Sequence, residues 1–223
     1  MLRASVGNVV SRGVVIDRFG DAAVNVSADH QSRHDGVKAV WVRACKAARA
    51  QRILVEDPYH RRYSGKAGDG LGKKRPDITV LNGGYGACGA ADTEGRHLLL
   101  DVKVRAPLTA HGVPHRADGA FAAFGGVASA VDKEMDKEYA AARSVGHTAR
   151  PLIHCVFGGL ERRAAETLAD LDRRFKGRLG DPADAPWNAR TFLARYAQQL
   201  SIAAQREVAR QVFAAGTGMH ARI

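Results

Sequence analysis

Three charged side chains interrupt apolar runs: Asp77 in the segment RPDITV, and Asp101 and Lys103 in LLLDVKV. Extended backbone sends successive side chains to opposite faces, so Leu100, Val102 and Val104 point one way and Asp101, Lys103 and Arg105 the other. A carboxylate and an ammonium in such a setting are partly desolvated, which is costly unless the carboxylate is paired or holds a cation. Asp77, at the start of the preceding strand, supplies a second carboxylate. Two carboxylates and a strand carbonyl, here that of Val102, suffice to hold magnesium, a hard ion that takes oxygen ligands and keeps several of its waters. Such an ion polarises a phosphoryl oxygen and acidifies the attacking water, while Lys103 orients that water and counters the charge developing on phosphorus. Glu56, at the end of RILVE, is a further candidate ligand or base. The expected chemistry is phosphodiester hydrolysis with Mg2+ as cofactor and Mn2+ able to substitute. The competing reading of the same residues is a pair of strands with a solvent-facing ion pair between Asp101 and Lys103.

The elements that must position these residues follow from periodicity. Val37, Val40, Trp41, Ala44 and Ala48 recur at helical intervals over 33–50, and Ser32 with Asp35 has the spacing of a capping box at its start. RILVED, DITVLN and HLLLDVKV read as strands, with a Gly-rich connector over 83–96. A helix over 127–144 carries Val127, Val131, Met135 and Tyr139 on one stripe, and the strand PLIHCVF follows. Two amphipathic helices complete the chain: 161–176, with Ala164, Leu168, Leu171 and Phe175, and 188–213, starting with Phe192, Tyr196 and Leu200. The expected fold class is α/β, a mixed central sheet flanked by helices. Residues 1–31 read as an extension of short strands and loops, 32–158 as the core, and 159–223 as a helical extension of the same domain.

The 223 residues hold 34 Lys and Arg against 23 Asp and Glu, a formal charge of +11 that points to a polyanionic partner. DNA is the first candidate. A membrane partner is not expected, because no apolar run approaches the ~20 residues of a spanning helix, and the N-terminus lacks the apolar stretch of a signal peptide. Arg61, Arg62, Lys66, Lys73, Lys74 and Arg75 crowd a Gly-rich loop ahead of Asp77. A Walker A loop is excluded there, because Ala67 and Lys74 stand where a Gly and a Ser or Thr are required. The loop reads instead as a grip on a phosphate backbone, with Lys133 and Lys137, one helical turn apart, as a second contact. Three cysteines, Cys45, Cys88 and Cys155, are an odd number without CxxC spacing, which argues for a reducing compartment. His30, His34, His60, His97, His111, His115 and His154 lack ligand spacing and read as surface or hydrogen-bonded residues.

RPD, a spacer and DVK resemble the PD-(D/E)xK nuclease superfamily, to which type II restriction enzymes and Holliday-junction resolvases belong. DRFGDAAVNVSADHQSRHDGVKAV, LVEDP, KRPDITV, LLLDVKV, DKEMDKEYAAA, PLIHCVFGGL and YAQQLSIAAQREVAR stand in the order of the restriction-like endonuclease domain of site-specific non-LTR retrotransposons. The resemblance spans about residues 17–210. It implies a restriction-endonuclease-like fold and a magnesium-dependent endonuclease. Asp77, Asp101 and Lys103 map onto the catalytic positions, and Lys137 and Tyr139 onto a Lys-x-Tyr in the next helix. Relatives often carry a zinc knuckle near the N-terminus, but Ala22 and Val26 stand where a His and a Cys belong, so no zinc is expected.

Those relatives also join the domain to a reverse transcriptase, for which this chain has no room. Such a partner is implied only if the chain is a fragment of a retroelement. An intracellular location is expected, nuclear in a eukaryote. Cutting both strands takes two active sites, hence a homodimer or sequential nicking. Alternatives that keep the fold are a junction resolvase and a DNA-binding module that has lost cleavage.

Overall fold

The computed structural model describes residues 9–10, 14–15, 30–48, 50, 52–56, 76–81, 97–105, 129, 131–144, 146–175 and 191–217. Strands β1 (Val9–Val10) and β2 (Val14–Val15) pair antiparallel as a small separate ribbon. Helix α1 (His30–Ala47) precedes the main sheet. That sheet has four strands in the order β3 (Ile53–Val55), β4 (Ile78–Val80), β5 (Leu98–Arg105) and β6 (Thr148–Cys155). The first three run antiparallel and β6 joins β5 in parallel. A parallel pair needs a crossover, and it contains helix α2, described over 131–138, and α3 (Ala140–Ser144). Backbone bonds from Tyr139 N to Met135 O and from Arg143 N to Tyr139 O carry the helical path across the junction. Helices α4 (Arg162–Arg174) and α5 (Phe192–Thr217) follow β6. The chain is thus a mixed α/β protein, in the element order expected from periodicity.

The sheet is covered on both sides, and the alternation along β5 separates two cores. Leu98, Leu100 and Val102 of β5, with Ile78, Val80 and Leu152, pack on Trp41 and Ala44 of α1, Leu168 of α4 and Leu200 of α5. Leu99, with Ala149, Ile153 and Cys155 of β6, packs on Val131, Met135 and Tyr139. Strands sandwiched in this way become near-continuous apolar runs, which is why a charge in β5 is conspicuous. The helices past residue 159 contribute Ala164, Leu168, Leu171, Phe192, Tyr196, Leu200 and Ala204 to the first core.

One local expectation fails. Helix α1 begins at His30, so Ser32 lies inside its first turn instead of capping it. The Ser32 hydroxyl donates to Glu207 of α5 at 2.6 Å, tying the two helices together. Caps seen in the structure are Glu161, whose carboxylate accepts from the Arg163 amide at the start of α4, and Thr191, whose hydroxyl accepts from the Ala194 amide at 3.1 Å at the start of α5. Among the described residues, no helix is long and apolar enough to cross a membrane.

Candidate active site

The register of β4 and β5 sets the site. Ile78 pairs with Leu100 and Thr79 with Leu99, so the next position places Asp77 directly opposite Asp101, and cross-strand partners project from the same face. The ladder stops there because the residue before it, Pro76, has no N–H to donate. In place of a strand partner, the Val102 amide donates to Asp77 Oδ2 at 2.6 Å. In extended backbone a residue's N–H and C=O point to the same edge, so the Val102 carbonyl also lies on the edge that faces β4. Lys103, two residues beyond Asp101 on the same face, lies 3.1 Å from its Oδ2.

Helix α1 covers the other face of the sheet, yet its first two turns reach the end of β4. There His34 Nε2 lies 2.9 Å from Asp77 Oδ2, and His34 Nδ1 lies 3.2 Å from Asp35 Oδ1. Asp35 Oδ1 also accepts from Gln31 at 3.0 Å and from Lys38 at 2.7 Å. Lys38 pairs in addition with Glu56. Glu56 has φ 49°, in the left-handed region that a non-glycine residue enters only at a cost of about 1–3 kcal/mol. Its amide donates to the Asp77 carbonyl at 3.0 Å, so the chain turns sharply where the carboxylate enters the site.

These residues line a cavity of about 320 Å³ bounded by Gln31, His34, Glu56, Asp77, Asp101, Lys103, Glu138 and Tyr139. That is the lower end of the ~300–1,000 Å³ typical of small-ligand sites. Asp77 is only 8% and Asp101 only 6% exposed, and their carboxyl groups are within hydrogen-bond reach of one another. Burial pushes the Asp101 carboxyl up to about 7; Lys103 opposes this and the Asp77 charge reinforces it. Burial acts to raise Asp77 too, but hydrogen bonds with His34, Asp101 and the Val102 amide outweigh it and hold Asp77 below the usual carboxylate value. The bond to Asp77 raises His34 above the usual imidazole value. Burial, together with the negative field of Asp101, Asp77 and Glu138, raises Tyr139. The two buried carboxyl groups are thus shifted in opposite directions, Asp101 up by burial and Asp77 down by its hydrogen bonds.

Asp77, Asp101, Lys103 and Glu56, all expected from sequence, converge on this cavity. Lys133 and Lys137 lie exposed on the outer side of α2, away from Met135 and Tyr139. Arg61, Arg62, Lys66, Lys73, Lys74 and Arg75 lie outside the described residues, as do Ala22 and Val26. Sequence reading passed over Lys38, Gln31 and Glu138; His34, within the RHD of the resembling segment, was read as a surface or hydrogen-bonded histidine, and it is hydrogen-bonded in the site. A signal for the α1 residues was present: Gln31, His34, Asp35 and Lys38 follow the spacing i, i+3, i+4, i+7, a polar stripe on a helix whose opposite stripe is core. Glu138 is the middle residue of the Lys137-x-Tyr139 segment, where the pattern specifies only its two neighbours.

The donor set suits a hard divalent cation. Among the described residues no three His, Cys, Asp or Glu side chains form a closed metal cage. Magnesium does not require one, because two carboxylates and a carbonyl leave room for its waters and a phosphate oxygen. Two carboxyl groups buried side by side, with Lys103 against one of them, are an arrangement that a bound cation would stabilise. No protein-family model, curated protein or solved structure matches the chain.

Proposed function

We propose that the chain is a magnesium-dependent DNA endonuclease with a restriction-endonuclease-like core of the PD-(D/E)xK type. The observation that carries this reading is the register that opposes Asp77 and Asp101, with Lys103 on the same face, in a cavity lined by further carboxylates. A net charge of +11 on a protein whose cavity is acidic supports it further: the body attracts a polyanion while the site attracts the cation that a phosphodiester needs.

Asp77 and Asp101, with the Val102 carbonyl, would hold the ion, which when bound would polarise a phosphoryl oxygen and acidify a water. Lys103 places its ammonium beside the Asp101 carboxylate, where it would orient a water and offset negative charge developing on a bound phosphate. Glu56, held by Lys38, is positioned to accept a proton from that water. Exposed Lys133 and Lys137 extend along α2 from the cavity wall and offer contacts to the phosphate backbone.

The test is cleavage of supercoiled plasmid, flap and four-way-junction DNA in Mg2+ or Mn2+, run beside the Asp101→Ala protein. Metal-dependent nicking by the wild type and none by the variant is expected. Tight, salt-sensitive binding without products in either metal would identify a binding module that has lost cleavage. Products from the junction alone would make the protein a resolvase.

A further inference from the structure

We propose that His34 is a positioning residue that fixes which oxygen of Asp77 faces the cation. This inference rests on the nuclease reading for its catalytic consequence, but its geometry stands separately. Two donors converge on one oxygen: the Val102 amide at 2.6 Å and His34 Nε2 at 2.9 Å both reach Asp77 Oδ2. With Oδ2 occupied from two directions, the carboxylate plane cannot rotate freely, and Oδ1 is the oxygen these two donors leave for a cation. Pre-set ligand orientation of this kind lowers the reorganisation needed to bind metal.

The imidazole is fixed in turn. Its Nδ1 faces Asp35 Oδ1 at 3.2 Å, and that same oxygen is held by Gln31 and Lys38. Lys38, only 9% exposed, reaches from Asp35 to Glu56. One stripe of α1 thus braces two separate cavity carboxylates, Asp77 through His34 and Glu56 through Lys38. The helix is anchored by burial of Val37, Trp41 and Ala44, so the brace is referenced to the core and not to a surface loop.

A Gln side chain can carry an N–H donor near the position of imidazole Nε2, whereas an Asn mimics only Nδ1. The experiment therefore compares His34→Ala, His34→Gln and His34→Asn in the full chain with two readouts. The first is hydrogen exchange of the Val102 amide in metal-free protein, expected to accelerate about tenfold in His34→Ala and His34→Asn and to recover in His34→Gln. The second is Mn2+ affinity by calorimetry, expected to weaken about 10- to 100-fold in the Ala and Asn variants, with Gln close to wild type. In cleavage, excess Mn2+ should restore much of the rate to His34→Ala, as fits a residue that orients a ligand. Unchanged Val102 exchange, or Ala, Gln and Asn variants that behave alike, overturns the proposal. The nuclease reading fails separately, if wild-type protein neither binds Mn2+ nor nicks DNA while Val102 exchange still depends on His34.

Discussion

The two faces of the sheet each bury polar groups, and they do so with opposite results. On one face His154 of β6 is fully buried, its Nε2 accepts from Trp41 Nε1 at 2.7 Å, and the rings meet edge to face with centroids 5.8 Å apart. Burial lowers His154 to about 3, so the ring is neutral and a neutral donor satisfies it. On the other face Asp77 and Asp101 are two acceptors buried side by side, and burial pushes the Asp101 carboxyl up to about 7 despite Lys103 beside it. A buried polar pair matched donor to acceptor is a structural element. A buried pair of acceptors is an incomplete one, completed by a cation.

The largest effect separating the two faces should come from Asp101→Asn, which keeps shape and removes charge. Cleavage is expected to fall on the order of 10³-fold while DNA binding persists, measured by single-turnover nicking and by salt-titrated filter binding. A variant that cuts at the normal rate removes the distinction between the faces.

Trp41→Phe tests the matched side. It leaves the buried His154 Nε2 without its donor and should cost about 1–3 kcal/mol in denaturant unfolding, with cleavage per folded molecule unchanged. Loss of cleavage without loss of stability would make the Trp41 pair part of the site.

The pH dependence of stability should also divide the faces. Asp101 is raised in the folded protein, so its contribution is present at low pH and lost as pH rises through about 7. His34 is raised and acts in the same direction near and above its usual 6.5. The stabilising share of Asp77, which is lowered, is present above its usual 3.8 and lost only in stronger acid. His154 is lowered, so its share is present above 6.5 and lost as pH falls toward 3. In metal-free protein the melting temperature should therefore drop between pH 6 and 8, less so in Asp101→Asn, and Mg2+ should raise it more at pH 8 than at pH 6. A metal effect independent of pH would separate the ion from Asp101.

The smallest effect is expected outside both cores. Lys133→Ala combined with Lys137→Ala should reduce the slope of log affinity against log salt by about 2 and leave the rate on bound DNA unchanged. An unaltered slope moves the DNA surface off α2.

Much of the frame was legible along the chain. Period-two alternation in LLLDVKV separated Leu100 and Val102 from Asp101 and Lys103, and the two cores obey that separation. Helical spacing marked Val37, Val40, Trp41 and Ala44, all buried. Misjudgement was greatest where local chemistry competes with tertiary contact. Ser32 had the spacing of a cap but its hydroxyl goes to Glu207, and His34, lacking ligand spacing and marked out only by its place in RHD, is the imidazole bonded to Asp77.

By itself the sequence determined the elements, their buried faces, and which residues carry charge where charge is costly, because alternation and amphipathicity are written into neighbouring residues. Only the tertiary structure decided the strand register that opposes Asp77 to Asp101 and the reach of α1 that brings His34 and Lys38 to them. Pairing partners distant in sequence are selected by the whole packed core, and no local pattern encodes that choice.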